Sequence, residues 1–520
     1  MELMCTKKYI VIPSSHDAQK KRLLFYIDDV LVYDLLAAID YDEPEYLFPV
    51  NMERFLGKTI RILCDEDIDL HFKETDTPTF DYSGKYRPHA HFTSMRGWLN
   101  DPNGLVWADG KYFMYYQHNP TGTKWDNMHW GSAVSADLIH WKEQGDVLFP
   151  SEHGTVFSGC GIVDKKNVTG LKSGEHDVIL FFYTAAGGTS ETSKGQPFTQ
   201  RLAYTTDNGK TIKHYDKPII EHIIGENRDP KVIYYAADDS YIMALYLVGH
   251  EFALFKSKDL LNWHEIQRIT LPDDIECPDF YPLCADGDQS NVKWVFSAAA
   301  DRYYIGHFDG NHFTPESEQL RLNYGNASYA AQSWSDVPDG RRIRTSFANI
   351  VKAGEPYGSC MSIPQEMSLK TVGGELRLCA TPVAEIAHLY TKTDLFPKFH
   401  IDKEHSFKKK VESKACDISL QFSAESNITL SLFGMDLSYD AAHKRIRCKD
   451  KEAPISAENS ILSLRVIYDT LYTEIFADSG GVFMGMAHVQ DTALNTLTVS
   501  SEHASTVSVT VSEMKPFYQK

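Results

Sequence analysis

At 520 residues, with 42% apolar and 12% aromatic side chains, the chain is long enough for two or three domains, each with its own core. Its 71 acidic against 52 basic residues leave a formal charge of −19, which disfavours nucleic acid or an anionic membrane as a partner and suits a neutral substrate. The start, Met1-Glu2-Leu3-Met4-Cys5-Thr6-Lys7-Lys8, lacks the basic-then-apolar order of a secretion signal, and the nine cysteines are scattered without close spacing, so a cytoplasmic protein with reduced thiols and no membrane partner is expected.

Residues 1–82 hold alternating runs near Tyr9–Pro13, Arg22–Ile27 and Thr59–Leu63, the pattern of a small β-sandwich-like domain. It is expected to dock on the central region, shaping a rim or a homo-oligomer contact. Residues 83–381 begin with Gly97-Trp98-Leu99-Asn100-Asp101-Pro102-Asn103-Gly104, which sets a carboxylate between an amide and a proline at the mouth of a strand. Runs at Val178–Tyr183, Val232–Tyr235, Tyr241–Val248 and Trp294–Ala298 come next, separated by Gly, Asp, Asn and Pro turns. An internal echo links Ser135-Ala136-Asp137-Leu138-Ile139-His140-Trp141 to Ser257-Lys258-Asp259-Leu260-Leu261-Asn262-Trp263. Repeated strand-turn units predict a propeller, which brings distant residues to one central pocket, although the pattern leaves the blade count open. A linker over 382–390 leads to residues 391–520, where strands at Ile418–Phe422, Ile428–Phe433, Ile461–Ile467 and Val507–Val511 predict a two-sheet sandwich.

Two further acids share the setting of Asp101. Asp229 lies in Glu226-Asn227-Arg228-Asp229-Pro230, and Glu276 in Ile275-Glu276-Cys277-Pro278-Asp279-Phe280. Cleaving an acetal needs one carboxylate as nucleophile and one carboxylic acid for the leaving oxygen, and a third can bind sugar hydroxyls, so the trio suggests glycosidase chemistry. The alternative, that each acid caps a turn before its proline, leaves the ordered trio unexplained.

These motifs, with Tyr112-Phe113-Met114-Tyr115-Tyr116-Gln117-His118-Asn119-Pro120, Met128-His129-Trp130-Gly131, Phe157-Ser158-Gly159 and Tyr329-Ala330-Ala331-Gln332, resemble glycoside hydrolase family 32, the invertase, inulinase and levanase group. The resemblance runs from about Lys85 to the C-terminus. It implies an all-β chain with a five-bladed β-propeller catalytic domain and a C-terminal β-sandwich, preceded here by the small N-terminal β domain. It implies that Asp101 is the nucleophile, Asp229 the transition-state stabiliser and Glu276 the acid/base. Asn100, Gln117 and Ser158 are then expected to contact sugar hydroxyls, Arg228 to orient the acids, and Trp125 and Phe157 to supply aromatic faces, a task that core packing would explain about as well for the tryptophan. Cys277 completes the expected contact set, tuning the surroundings of Glu276 rather than acting as a nucleophile, since no motif brings it a base. His89 and His91 could be metal ligands on one strand face, but the segment resembles the entry into a first blade, and neither metal nor organic cofactor is expected.

Three positions depart from the family pattern. Phe347 stands where a tryptophan is usual, Cys160 where a small residue is usual, and Ser132 where histidine is common. They bear on pocket shape and leave the carboxylates intact. The reading is an exo-acting β-fructosidase that removes terminal fructose from fructo-oligosaccharides, levan, inulin or sucrose with retention, Glu276 holding a proton while Asp101 stays charged. A fructosyltransferase using the same acids and a non-catalytic fructan-binding propeller are the alternatives.

Overall fold

A computed structural model describes residues 1–66, 68–79, 82–456 and 460–518. The fold is all-β, and helical structure among the described residues is confined to short 3-10 turns. Near the N-terminus, one antiparallel sheet has Glu2–Met4, Thr59–Cys64, Lys21–Ile27 and Val30–Ala37 in that spatial order, and a second has Tyr46–Asn51, Tyr9–Ser14 and Lys73–Thr75. Strict alternation along Tyr9–Ser14 turns Ile10 and Ile12 inward, where they share a core with Leu23, Phe25, Leu35 and Ile62. This unit docks on the strand His129–Ser135: the buried Tyr33 hydroxyl meets His129 Nε2 at 2.7 Å, and the Arg54 guanidinium lies over the rings of Tyr33 and Phe149.

The middle of the chain builds one nine-stranded sheet and three smaller ones. In the large sheet Lys142–Leu148, His129–Ser135, Lys111–Asn119 and Gly97–Ala108 form an antiparallel meander, continued by Tyr357–Met361, Arg342–Val351, Gln365–Val372 and Glu375–Pro382, with Ser328–Ser333 beside Arg342–Val351. The halves come from opposite ends of this region and join through a parallel pairing of Tyr357 with Gly97 and Gly358 with Trp98. Between them in sequence lie three meanders that begin at Thr155–Asp164, Arg228–Tyr235 and Asp279–Cys284. The repeated heptapeptide makes the same turn twice, each time joining the third strand of a meander to its fourth. Asp137 and Asp259 each accept from the preceding serine hydroxyl and from two backbone N–H groups, while Leu138 and Leu260 sit at φ 66° and 63°.

Residues 384–389, expected as a linker, form a 3-10 turn whose Ile386 and Leu389 are buried, and the strand after it already begins at Tyr390. An apolar pair inside the connector therefore packs it down instead of leaving it free. The C-terminal strands form two six-stranded antiparallel sheets with a shared apolar core including Ile418, Leu430, Val466 and Val509.

A buried ionic group ties this segment to the entry of the central region. Asp469 accepts from the backbone N–H groups of His89, Ala90 and His91 and from His91 Nδ1 at 3.0 Å, while Glu474 lies 3.6 Å from His91 Nε2. Burial opposes charge on His91, but the two carboxylates more than compensate and hold it up to about 9. His91 is thus engaged by carboxylates, which accounts for its place in the His-Ala-His run without a metal ligand role.

Candidate functional site

Four first or outer-joined strands of the central region carry a register break at the same stage of their course. The pairing slips between Leu99 and Pro102, Val156 and Gly159, Arg228 and Lys231, and Tyr329 and Gln332. A bulge bends the strand and re-aims the side chains within it. Asp101, Ser158 and Asp229 lie within these breaks, and Tyr329 immediately precedes the fourth. Pro230 sits inside one of these breaks and Pro102 where the pairing resumes after another, the kind of position to which prolines in sheets are confined. Glu276 reaches the same place from the turn before Asp279–Cys284.

The backbone is strained where the acids emerge. Asp229, Glu276, Cys277 and Ala330 have φ of 65°, 48°, 44° and 53°, each a left-handed conformation that costs a non-glycine residue of order 1 kcal/mol. Local bonds hold it: Asp229 N donates to Thr184 Oγ1 at 3.0 Å, and Cys277 N donates to Asp229 Oδ2 at 3.1 Å.

The three acids meet at a cavity of about 490 Å³. Asp101 Oδ2 accepts from Ser158 Oγ at 2.5 Å, and Asp101 Oδ1 from Asn100 Nδ2 at 3.1 Å, the amide being oriented in turn by Trp98 Nε1 at 2.9 Å. Glu276 is held on both oxygens. Arg228 Nη2 donates to Oε2 at 2.8 Å and the Tyr329 hydroxyl to Oε1 at 2.6 Å. The guanidinium also lies 3.7 Å from Asp229 Oδ2 and over the Tyr246 ring, at 4.6 Å from its centroid.

Burial, then the neighbouring Glu276 carboxylate, raises Asp101 above its ordinary range. Burial raises Asp229 to about 7 against the opposing pull of Arg228, with Glu276 and Asp101 adding to the rise. The upward push on Asp101 is opposed by the bonds it accepts from Ser158 and Asn100, which favour its charged form.

Of the residues singled out in the sequence, Asn100, Asp101, Gln117, Trp125, Phe157, Ser158, Arg228, Asp229 and Glu276 all line this cavity. Gln117 donates its amide to the Val156 carbonyl at 2.9 Å, and Trp125, 53% exposed, meets the Phe157 ring edge-on at the mouth. Cys277 is the exception. It is 1% exposed and lies beneath the acids, so its expected place among the substrate-contacting residues is corrected: the left-handed turn points its sulfur at two carboxylates instead of the cavity. Phe347 lines the wall edge-on to both Trp98 and Tyr329, and Cys160 is buried behind it all, accepting from Val232 N.

Tyr329, Thr189, Phe198 and Asn349 line the cavity as well, and the sequence alone assigns none of them a role. The first carries a usable signal, a tyrosine opening the Tyr329-Ala330-Ala331-Gln332 motif; Thr189 and Phe198 lie in the loop between Val178–Ala186 and Thr199–Thr205, and Asn349 on the strand Arg342–Val351, where residue type alone gives no such sign. Elsewhere, Asp137, His140 and His388 bring three donor atoms within 4.8 Å of one another. In the matching turn Asn262 bonds Asp259 as His140 bonds Asp137, so that contact belongs to the turn.

The family model described as Glycosyl hydrolases family 32 N-terminal domain matches residues 91–382. A levanase of Bacillus subtilis (strain 168) is 30% identical over 454 residues, 77% of this chain and 66% of the levanase. An extracellular exo-inulinase of Aspergillus niger is 26% identical over 448 residues, covering 74% of this chain and 83% of the relative. Among solved structures, exo-inulinase from Aspergillus awamori superposes with a TM-score of 0.75 at 22% identity, over 84% of this chain and all of that one. The β-fructofuranosidase of Schwanniomyces occidentalis, solved with fructosyl-erythritol, superposes with the same score, identity and coverage.

Proposed function

From the premise that this chain belongs to glycosyl hydrolase family 32, we propose that it is an exo-acting β-fructosidase, removing terminal β-fructofuranosyl units from fructo-oligosaccharides, levan, inulin or sucrose. The observation that carries the reading is the convergence of Asp101, Asp229 and Glu276, from three separate strand units, on one cavity walled by amides, hydroxyls and aromatic rings. Acids that are less exposed than Trp125 in the same wall suit a chain end. The relatives named as levanase and exo-inulinase support the fructan class.

In this reading Asp101 attacks the anomeric carbon of the bound fructosyl unit, and the C–O bond to the leaving sugar breaks as Glu276 delivers a proton to that oxygen. Water then loses a proton to Glu276 and attacks the fructosyl–Asp101 ester, releasing fructose with its configuration retained. Asp229, buried and bonded to the Cys277 N–H, faces the oxocarbenium-like charge that develops in both steps. Arg228 and Tyr329 fix the Glu276 carboxyl, and Ser158 and Asn100 fix Asp101.

The same reading takes the five strand groups of the central region as propeller blades, the parallel pairing of Tyr357–Gly358 with Gly97–Trp98 joining last to first, and the two C-terminal sheets as a sandwich that supports them. Domains at 1–82, 83–381 and 391–520 accord with that assignment. The nine free thiols, most of them buried, support a reducing, cytoplasmic address. The test is an early-time product profile on sucrose, short inulin-type and short levan-type chains. Free fructose from the first minutes supports exo-hydrolysis; longer fructosides show capture of the intermediate by sugar, and no turnover rejects the reading.

A further inference from the structure

The edge strand Val30–Ala37 of the N-terminal unit lies against two loops that carry residues of the cavity wall. Leu36 donates its N–H to Asn127 Oδ1 at 2.8 Å, and its carbonyl accepts from Asn127 Nδ2 at 2.8 Å and from Thr121 Oγ1 at 2.9 Å. One side-chain amide therefore pairs with this edge residue as a neighbouring strand would. Asn127 Nδ2 also reaches Asn119 Oδ1 at 3.0 Å, and Asn119 Nδ2 donates to the Lys124 carbonyl at 2.8 Å, which draws residues 119–127 tight around Trp125. Lys20 adds an ion pair to Asp126 at 2.7 Å.

Asp34 grips the second loop from the same strand. It is 4% exposed; its Oδ1 accepts from Thr192 Oγ1 at 2.7 Å and Thr192 N at 3.2 Å, and its Oδ2 from Arg22 Nη1 at 2.6 Å and Glu191 N at 3.2 Å. A buried carboxylate persists only where it is fully bonded, and here the bonds end on the loop and on the arginine beneath it. That loop carries Thr189, which lines the cavity and meets Thr155 Oγ1 at 2.7 Å. Trp125 and Thr189 are thus both held from outside the central region, by residues two apart on one strand. The three acids have no such contact with the N-terminal unit among the described residues.

We propose that the N-terminal domain sets the outer part of the cavity, the part that receives sugar beyond the terminal fructose, with Asp34 and Asn127 as positioning residues. The proposal rests on the fructosidase reading and extends it to a determinant of chain-length selectivity. Neither residue touches the sugar; each acts through the loop it bonds.

The test compares the full-length protein with Asp34→Asn and Asn127→Ala on two donors, methyl β-D-fructofuranoside, whose leaving group is minimal, and an inulin-type tetrasaccharide. KM for the tetrasaccharide is expected to rise about fivefold or more, the scale of an ordinary coupling between sites, while kcat for the methyl fructoside stays within about twofold. Hydrogen exchange is expected to quicken in segments 119–127 and 187–196. An equal loss on both donors, or an unchanged ratio between them, overturns the proposal. Should Asp34→Asn fail to fold, Asn127→Ala, which strands no buried charge, carries the same comparison. Absence of wild-type turnover on both donors rejects the fructosidase reading itself, whereas wild-type turnover with an unchanged ratio in the variants rejects only the role given to the N-terminal domain.

Discussion

The sulfur of Cys277 lies 3.4 Å from Oδ2 of Asp101 and 3.4 Å from Oδ2 of Asp229, so one thiol touches two carboxylates brought from different strand units. Burial, reinforced by the charge of Asp101 and Asp229, pushes this thiol well above its ordinary range and keeps it protonated. It is therefore a weak donor to the charged forms of both acids. Replacing it with serine supplies a stronger donor at the same place. Cys277→Ser is expected to retain turnover within about tenfold and to move the pH–rate profile towards acid, whereas Cys277→Ala moves it the other way. Profiles of kcat/KM against pH for the two variants check this, and coincident profiles would show that the sulfur does not tune the acids. The native thiol should also resist alkylation at mildly alkaline pH, where exposed cysteines react.

In the proposed mechanism, Asp229 sets catalysis and stability in opposition. Its folded value of about 7 lies above the ordinary 3.8, so the proton it binds favours the fold below the ordinary value, and that contribution is lost as pH rises through about 7. Asp229→Asn removes the buried charge. The variant is expected to lose turnover yet melt about 2–4 °C higher than the wild type near pH 8, with the gap shrinking as pH falls towards 4. Paired thermal melts at the two pH values decide it; a variant that melts lower at alkaline pH would show that the pull of Arg228 outweighs burial.

His91 behaves in the opposite sense to an exposed histidine. Its folded value of about 9 exceeds the ordinary 6.5, so its ion pairs with Asp469 and Glu474 stabilise fully below 6.5 and fade as pH rises through about 9. His91→Gln leaves two carboxylates buried without their cation and is expected to cost about 3 kcal/mol at neutral pH. The difference from wild type should narrow above pH 9. Denaturant unfolding at both pH values measures it, and a constant difference would mean that the imidazole is already neutral in the fold.

Much of this architecture is legible in the sequence because strands that bury one or both faces must write apolar runs. Val178–Tyr183 proves to be most of Val178–Ala186, and Ile461–Ile467 most of Ile461–Tyr468. The acids are legible for a different reason: strained turns rich in proline and glycine leave fixed punctuation around Asp101, Asp229 and Glu276. What escapes is whatever depends on contacts across the chain. Asp469 grips three backbone N–H groups some 380 positions earlier, and nothing in Tyr468-Asp469-Thr470 announces that partner. The register breaks that aim the acids are equally silent, since a bulge is a relation between two strands and one strand alone does not encode it. The direction of the Cys277 sulfur is hidden for a similar reason, because it is set by a backbone φ of 44° that the residue type does not announce.

The proposed mechanism stands on Asp101 as the group that attacks the sugar. Asp101→Asn preserves the shape of the side chain and its neighbours Ser158 and Asn100 while removing the nucleophile, so the rate of fructose release by this variant, measured on protein with wild-type circular dichroism, is the most direct test. A fall in kcat of about 10⁴-fold or more, with little change in KM, is expected. Turnover within tenfold of the wild type would contradict it.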